Sequence, residues 1–235
     1  MDRAGLGQSQ PDREPRTLEH LTADLTRALE GLEARPPFIL VGHSWGGAIV
    51  RLFAAQHREL VAGMVLVDAS HEATLGSSFI SPAGRVLFWL MGRGTFLCLK
   101  MLALAGLGKL LARRSLGSRI FSKMTSEDRA QALWELSAAS TYRTGRREVA
   151  HEHAGLQALA RLPLPSVPVV AITGSKAPCF ARKQRRFIND IYEKWTEALP
   201  NGEHVIAYRS GHLVPQSEPE LVGRAIDSLI DRSTQ

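Results

Sequence analysis

Cysteine is scarce in this chain of 235 residues, and an export signal is absent. The two cysteines, Cys98 and Cys179, are too few and too far apart for a disulfide framework or a cysteine-based metal site. The polar start "MDRAGLGQSQPDREPR" lacks the apolar core and the small-residue cleavage site of a signal peptide. Both observations favour a cytoplasmic location, and we expect neither a metal nor another cofactor.

A long apolar run without charges is also missing. The most apolar stretch, "TFLCLKMLALAGLGKLLA" (95–112), is interrupted by Lys100 and Lys109 and is weakened as a helix by Gly106 and Gly108. Such a stretch is more typical of lid helices with one apolar side than of a membrane span. Weak contact of this segment with a membrane surface is a second interpretation.

Acidic residues are outnumbered by basic ones, which gives a formal net charge of +6. The densest basic cluster is "ARKQRR" (181–186), in which four of six residues are arginine or lysine. No aromatic residues are interleaved with it, and no nucleic-acid-binding motif accompanies it. We therefore interpret the cluster as a solvated surface and expect no nucleic-acid partner.

Helical and strand patterns alternate from about residue 17 onward. Apolar residues first recur at helical spacing, until Pro36 and Pro37 end that segment. Short, wholly apolar segments then follow, separated by amphipathic helices, of which the next covers about residues 46–57. This order is typical of a parallel sheet with helices on both faces, an α/β fold. The predicted strands are Phe38–Val41, Met64–Val67, Val167–Thr173 and His204–Arg209.

The long segment between the second and third predicted strands has helical rather than strand character. We interpret it as an inserted helical lid. The chain is accordingly divided into a first core part (1–70), the lid (71–163) and a second core part (164–235). Within the last part, Ser217 and Glu220 form a capping-box pattern that predicts the start of the final helix.

One serine lies between small residues where a predicted strand meets a predicted helix. The stretch "GHSWG" (42–46) fits G-x-S-x-G, the pattern of a nucleophile elbow, in which the serine adopts a strained conformation. Gly42 and Gly46 are expected to avoid clashes within this tight turn. Gly47 and Ala48 are expected to let the helix approach the sheet. Ser44 is therefore the candidate nucleophile.

A serine nucleophile needs a base and donors for the developing oxyanion. The backbone N–H of Trp45, at the start of a helix, is the candidate oxyanion donor. His43 is interpreted as a wall of the substrate pocket. His212, in "SGHLVP", follows the last predicted strand on a loop and is the candidate base. The remaining histidines occupy positions where a structural or solvated role is expected: His20, His57, His71, His151, His153 and His204.

Four stretches together carry a resemblance to a known family. They are "LVGHSWGG", "LVDASH", "SGHLVPQSEPELV" and "DRAGLGQS" (Asp2–Ser9), the last being similar to the D-x-x-G-x-G-x-S turn after the fourth strand of many members with lids. With these motifs the chain resembles an α/β-hydrolase fold serine hydrolase of the esterase or lipase kind. The resemblance implies the chain order nucleophile, acid, histidine, and an inserted lid.

The acid of this resemblance has two candidate positions. Family members most often carry it after the strand that corresponds to Val167–Thr173, but here no carboxylate follows until Asp190. A second family arrangement places it one strand earlier, where Asp68 ends the predicted strand Met64–Val67. We favour Asp68 because the histidine needs an orienting carboxylate. The alternative is that Asp68 only caps a loop.

The same resemblance predicts an N-terminally short fold. If Asp2–Ser9 is the turn after the fourth strand, the family's first four strands are not in this sequence, and neither is the loop that usually supplies the second oxyanion N–H. The strand Phe38–Val41 is then expected to present an apolar edge, which favours self-association. Loss of one oxyanion donor typically costs roughly 10²–10³ in rate.

The function implied is hydrolysis of an ester, or a related acyl bond, of a small hydrophobic substrate through a Ser44–His212–Asp68 triad. The family's dehalogenases and epoxide hydrolases carry an aspartate at the elbow, so Ser44 argues against them. Cofactor-free haloperoxidases and carbon–carbon bond hydrolases share the triad and stay open. A different class, a binding protein of the same fold with little or no turnover, is the main alternative.

Overall fold

The computed structural model describes residues 3–76, 94, 97–110, 113 and 124–233. The chain divides into two compact units, which are treated separately. The helical unit contains Met1–Leu21 and Ser77–Ala154. The sheet unit contains Thr22–Gly76 and Gly155–Gln235, and it includes all the predicted strands.

The sheet consists of four parallel strands in the order β1-β2-β3-β4. The α/β class with a parallel sheet is thus confirmed, although the strand bounds differ from the predicted ones by a few residues. β4 ends at Ala207 rather than at Arg209, because the backbone N–H of Arg209 turns away to the carboxylate of Glu218. The strands are β1 (Phe38–His43), β2 (Val61–Val67), β3 (Val169–Gly174) and β4 (Gly202–Ala207).

The α-helices referred to below lie before, between and after these strands. In chain order they are α1 (Leu18–Gly31), α2 (Trp45–Gln56), α3 (Ser126–Ser137), α4 (Ala139–Val149), α5 (Glu152–Leu159), α6 (Arg182–Glu197), α7 (Val214–Ser217) and α8 (Pro219–Ser233).

Helices cover both faces of the sheet, as the apolar strands predict. Side chains of β2 alternate between two cores. Met64 and Leu66 face a core that includes Phe53 of α2 and Tyr192 of α6. The neighbouring β2 residues, Val65 and Val67, face a second core that includes residues of α8. A strand that is buried on both faces accounts for the uninterrupted apolar sequence of β2.

The predicted capping box of the last helix is wrong. Ser217 ends the short helix α7 and donates its hydroxyl to the carbonyl of Leu213. Glu218 is buried and accepts hydrogen bonds from the Arg209 backbone and from the Ser210 hydroxyl. These contacts with the preceding loop, which lie outside the helix, override the local capping pattern.

In the helical unit, the turn "AGLGQS" lies against α4. Gly5 has a φ of +79°, and a Cβ there would come within 2.4 Å of the Thr144 hydroxyl. That hydroxyl donates to the Gly5 carbonyl at 3.1 Å. Arg3 forms an ion pair of 2.8 Å with Glu148, and this pair ties the start of the described chain to α4.

The predicted lid, residues 71–163, falls partly outside the described residues. Within it, α3, α4, α5 and residues 97–104 are helical. Their role as a lid stays a prediction. None of the helices in the described part of the chain has the length and hydropathy needed to cross a membrane.

Candidate active site

Ser44 lies in a sharp turn between β1 and α2. Its φ of 54° is positive, a conformation that is strained for a residue with a side chain. The turn is fixed to the next strand, because the Ser44 N–H donates to the Val67 carbonyl at 3.1 Å and the Ser44 carbonyl accepts from Ser70 at 3.0 Å. These bonds hold the serine at the carboxyl end of the parallel strands.

The glycines that the turn requires are Gly42 and Gly47, not Gly42 and Gly46. A Cβ on Gly42 would come within 2.6 Å of the backbone of Gly46 and Gly47. A Cβ on Gly47 would come within 2.2 Å of the Ala69 Cβ, because α2 starts directly against the end of β2. A Cβ on Gly46 would meet nothing within 4 Å. The expected steric role of Gly46 is therefore wrong.

This contrast predicts different outcomes for two adjacent substitutions. Gly47→Ala should lower the free energy of unfolding by about 1–3 kcal/mol, because the added methyl overpacks the contact with Ala69. Gly46→Ala, the matched control, should leave stability unchanged or raise it by up to about 1 kcal/mol, since alanine is the better helix former. Urea denaturation of both variants measures the difference. Equal destabilisation by the two would contradict the geometry of the elbow.

Three residues of the candidate triad meet at this edge of the sheet. Nε2 of His212 lies 3.1 Å from Oγ of Ser44, and Nδ1 of His212 lies 2.7 Å from Oδ2 of Asp68. Ser44 follows β1, Asp68 follows β2 and His212 follows β4, so the parallel sheet brings together residues that are far apart in sequence. The contacts have the geometry of a nucleophile, a base and an orienting carboxylate.

Asp68 is buried and its two carboxylate oxygens have different partners. Oδ2 faces His212, whereas Oδ1 accepts the Gly174 N–H at 3.1 Å and a guanidinium N–H of Arg185. Burial alone would raise the pKa of Asp68, but the hydrogen bonds from His212, Arg185 and Gly174 outweigh it and hold the pKa below its usual value. The carboxylate therefore stays ionised at neutral pH.

The loop that carries His212 is fixed at its base. A Cβ on Gly174 would come within 2.0 Å of the Gly211 carbonyl, so this loop lies directly on the end of β3. The Ser210 carbonyl accepts from Lys176 at 2.8 Å, and the Ser210 hydroxyl donates to the buried Glu218 at 2.6 Å. These contacts set the position from which the imidazole reaches Ser44.

His43 contacts the His212 loop. Its Nε2–H donates to the backbone carbonyl of His212 at 2.8 Å, and the centroids of the two rings are 4.8 Å apart. Burial lowers the pKa of His43, so the neutral ring with the proton on Nε2 is favoured. The expected role of His43 in the pocket wall stays a prediction, whereas its contact with the loop was not foreseen.

Trp45 is the first residue of α2 and follows the candidate nucleophile directly. The first amides of a helix have no acceptor within that helix, so the Trp45 N–H can take an external anion. Its indole Nε1 is buried and has no hydrogen-bond partner among the described residues. The proposed role of Trp45 as oxyanion donor rests on the backbone N–H.

His71 follows Asp68 closely but is not a second base near neutral pH. It is buried, and this burial lowers its pKa to about 4. Its Nδ1 accepts the Ala73 N–H at 3.1 Å, and its ring packs edge-on against Tyr192 and Trp195. These contacts are those of a core residue.

Arg185 is a contact of the candidate triad that the sequence pattern does not reveal. The cluster "ARKQRR" was interpreted as a solvated surface, and this holds for Arg182, Lys183 and Arg186, which are exposed. Arg185 instead has a side chain that is only 13% exposed and pairs with Asp68. Its position in the first turn of α6 was the available signal, because a cation there opposes the helix dipole unless an anion lies nearby.

Comparison with curated proteins gives partial matches. The uncharacterized protein YqjL of Bacillus subtilis is 37% identical over 67 residues, which are 28% of this chain and 26% of YqjL. Epoxide hydrolase 3 of Xenopus tropicalis is 34% identical over 83 residues, which are 34% of this chain and 22% of that protein. The matched stretches thus span about a quarter of the length of these relatives.

Solved structures and a family model match far more of the chain. Epoxide hydrolase CorEH superposes with a TM-score of 0.72 and 22% identity, over 98% of this chain and 80% of that one. An esterase from Thermogutta terrifontis gives a TM-score of 0.65 and 19% identity, over 100% of this chain and 79% of the esterase chain. At this level of identity the likeness establishes the fold. The model described as "Alpha/beta hydrolase family" matches residues 1–225. The chain therefore belongs to the alpha/beta hydrolase family.

Proposed function

We propose that the protein is a serine hydrolase that cleaves an ester or a related acyl bond. The observation that carries this proposal is the continuous set of contacts from Oγ of Ser44 through the imidazole of His212 to the carboxylate of Asp68, at 3.1 and 2.7 Å. A serine hydroxyl is a weak nucleophile by itself, and a neighbouring imidazole held by a carboxylate is the usual means of activating it.

The proposed reaction has two halves. Ser44 Oγ attacks the carbonyl carbon while Nε2 of His212 takes the hydroxyl proton. The oxyanion that forms accepts a hydrogen bond from the backbone N–H of Trp45. His212 then gives the proton to the leaving alcohol, and an acyl-serine results. A water molecule, deprotonated by the same imidazole, hydrolyses this ester and restores Ser44. Asp68 stabilises the imidazolium in both halves.

A hydrophobic acyl or alcohol group is the proposed substrate feature. Residues 97–110 of the helical unit carry apolar side chains that are 44–66% exposed, and these could contact such a group or, weakly, a membrane surface. They are Leu97, Met101, Leu104, Leu107 and Leu110. Both described cysteines are free, in line with the proposed cytoplasmic location.

A series of p-nitrophenyl esters tests the proposal. We expect hydrolysis with a kcat/KM that rises from the acetyl to the octanoyl ester, and loss of this activity in Ser44→Ala. An aryl epoxide serves as the second substrate, because some relatives and structural neighbours are epoxide hydrolases. Opening of the epoxide without ester cleavage would contradict the proposal. Binding of ester analogues without any turnover would support the alternative of a binding protein.

Self-association is proposed as a second property of these 235 residues. β1 pairs with β2 on one side, and none of the described residues pairs with its other side. Val41 on this strand is 42% exposed. Unpaired backbone groups beside exposed apolar side chains favour contact between chains. We expect a concentration-dependent sedimentation coefficient that falls towards the monomer value in Val41→Lys. Monomers at all concentrations would contradict this expectation.

A further inference from the structure

The carboxylate of Asp68 receives a positively charged donor in addition to the imidazole. Arg185 donates an Nη1–H to Oδ1, the oxygen that does not face His212. The Arg185 side chain is 13% exposed and that of Asp68 is 4% exposed. Charges sheltered from water in this way interact more strongly than charges at the surface. The charge of Arg185 is thus expected to act strongly on the Asp68 carboxylate of the candidate triad.

The position of Arg185 in its helix indicates that the pairing is specific. It lies in the first turn of α6, which contains no acidic residue and carries Arg182 and Lys183 as well. Positive charges near a helix N-terminus are unfavourable because they face the positive end of the dipole. Arg182 and Lys183 are exposed and screened by solvent, whereas Arg185 is largely buried against Asp68. Asp68 supplies the anion that stabilises a cation at this point.

Two consequences follow for the Asp68–His212 pair. First, Arg185 and the Gly174 N–H both occupy Oδ1, so Oδ2 is left directed at Nδ1 of His212. Second, the positive charge of Arg185 opposes a second positive charge on the imidazole, with which it shares one carboxylate. Removal of Arg185 should therefore favour the protonated imidazole, which cannot act as a base.

We propose that Arg185 is a positioning residue that fixes the carboxylate of Asp68 and keeps the Asp68–His212 pair able to accept a proton at lower pH than it otherwise would. This inference rests on the proposed serine hydrolase function. Other titratable groups near the pair are His43 on β1, whose ring lies against His212, and Tyr192 on α6, which is buried. Burial favours the neutral form of both, whereas Arg185 is a cation that bonds directly to the Asp68 carboxylate.

The experiment compares three variants over a range of pH. Arg185→Met removes the charge, Arg185→Lys keeps it, and Arg186→Met makes the same change at an exposed neighbour. The readout is kcat/KM for a p-nitrophenyl ester, followed at a wavelength that does not depend on pH. In Arg185→Met we expect the midpoint of the acid limb to move up by roughly 0.5–1.5 pH units. Arg185→Lys and Arg186→Met should retain the wild-type midpoint.

A merely structural role gives a different result. If Arg185 only supported the fold, Arg185→Met and Arg185→Lys would both lower the maximal kcat/KM of the pH profile and leave the midpoint of its acid limb unchanged. The proposal would then be overturned. Thermal unfolding of each variant checks that the fold is retained. A midpoint that moves equally in Arg186→Met would also overturn the proposal, because the effect would then come from net charge.

A second readout separates this inference from the proposed function. Histidine labelled with ¹³C reports imidazole protonation by NMR without any turnover, and the signal missing in His212→Ala identifies the ring. If the wild-type protein hydrolyses no ester, the proposed function fails, but the titration midpoint of this signal still tests Arg185. An upward shift in Arg185→Met alone supports the role of the charge. An unchanged midpoint in all variants contradicts it.

Discussion

Replacement of His212 with alanine is expected to lower kcat for ester hydrolysis by roughly 10⁵–10⁶-fold, with little change in stability. The imidazole contacts both Ser44 and Asp68, so its loss leaves the hydroxyl without a base and the leaving alcohol without an acid. The side chain is half-exposed, so its removal should leave the core intact. Steady-state kinetics with a p-nitrophenyl ester measure the change.

The control for this variant is His153→Ala, at an exposed histidine of α5. It should leave kcat within about twofold of wild type, because surface substitutions of this kind rarely have consequences. His43→Ala is a further comparison, and we expect a smaller loss there because His43 donates to the His212 carbonyl and packs against the His212 ring, so that it acts through His212. If His43→Ala abolished turnover while His212→Ala retained it, the identity of the base would be wrong.

Asp68→Asn is expected to lower turnover by up to roughly 10⁴-fold, through a specific defect in hydrogen bonding. Two donors, the Gly174 N–H and Arg185, converge on Oδ1, so the amide oxygen of the substituted side chain must take that place. The amide nitrogen then faces Nδ1 of His212, which has to become an acceptor. The ring is thereby held with its proton on Nε2, towards Ser44, where it cannot act as a base.

The matched control is Asp190→Asn, because Asp190 is the first carboxylate after β3, where the family most often has its acid. Asp190 is exposed on α6, and we expect no more than about a twofold effect on kcat. Full activity in Asp68→Asn together with loss of activity in Asp190→Asn would show that the acid had been assigned wrongly. NMR of the labelled His212 ring in Asp68→Asn should report the altered tautomer directly.

Much of the fold follows from short-range sequence patterns. β2 is apolar at every position from Met64 to Val67 because both of its faces are buried, and this made the strand and its parallel neighbours predictable. The elbow was found in the same way, since a strand, G-x-S-x-G and a helix follow one another within a few residues. Such features depend on residues that are close together in the chain, and a single sequence is enough to reveal them.

The features that were missed depend on residues distant in sequence. The expected steric role of Gly46 was wrong and that of Gly47 is confirmed, and only the approach of Ala69 after β2 separates these two adjacent glycines. The pairing of Arg185 with Asp68 joins α6 to the end of β2. The capping box failed for the same reason, because the Ser217 hydroxyl donates to the Leu213 carbonyl and the Glu220 carboxylate accepts from Arg209, which follows β4. Sequence spacing cannot display such tertiary contacts.

Ser44 as a covalent nucleophile is the central claim, and a fluorophosphonate probe followed by peptide mass spectrometry tests it most directly. We expect one adduct, on the peptide that contains Ser44, formed in proportion to the loss of ester hydrolysis and much more slowly in His212→Ala. Ser44→Ala should give neither an adduct nor turnover. An unlabelled Ser44 in folded protein that still hydrolyses esters, or turnover that persists in Ser44→Ala, would contradict the account.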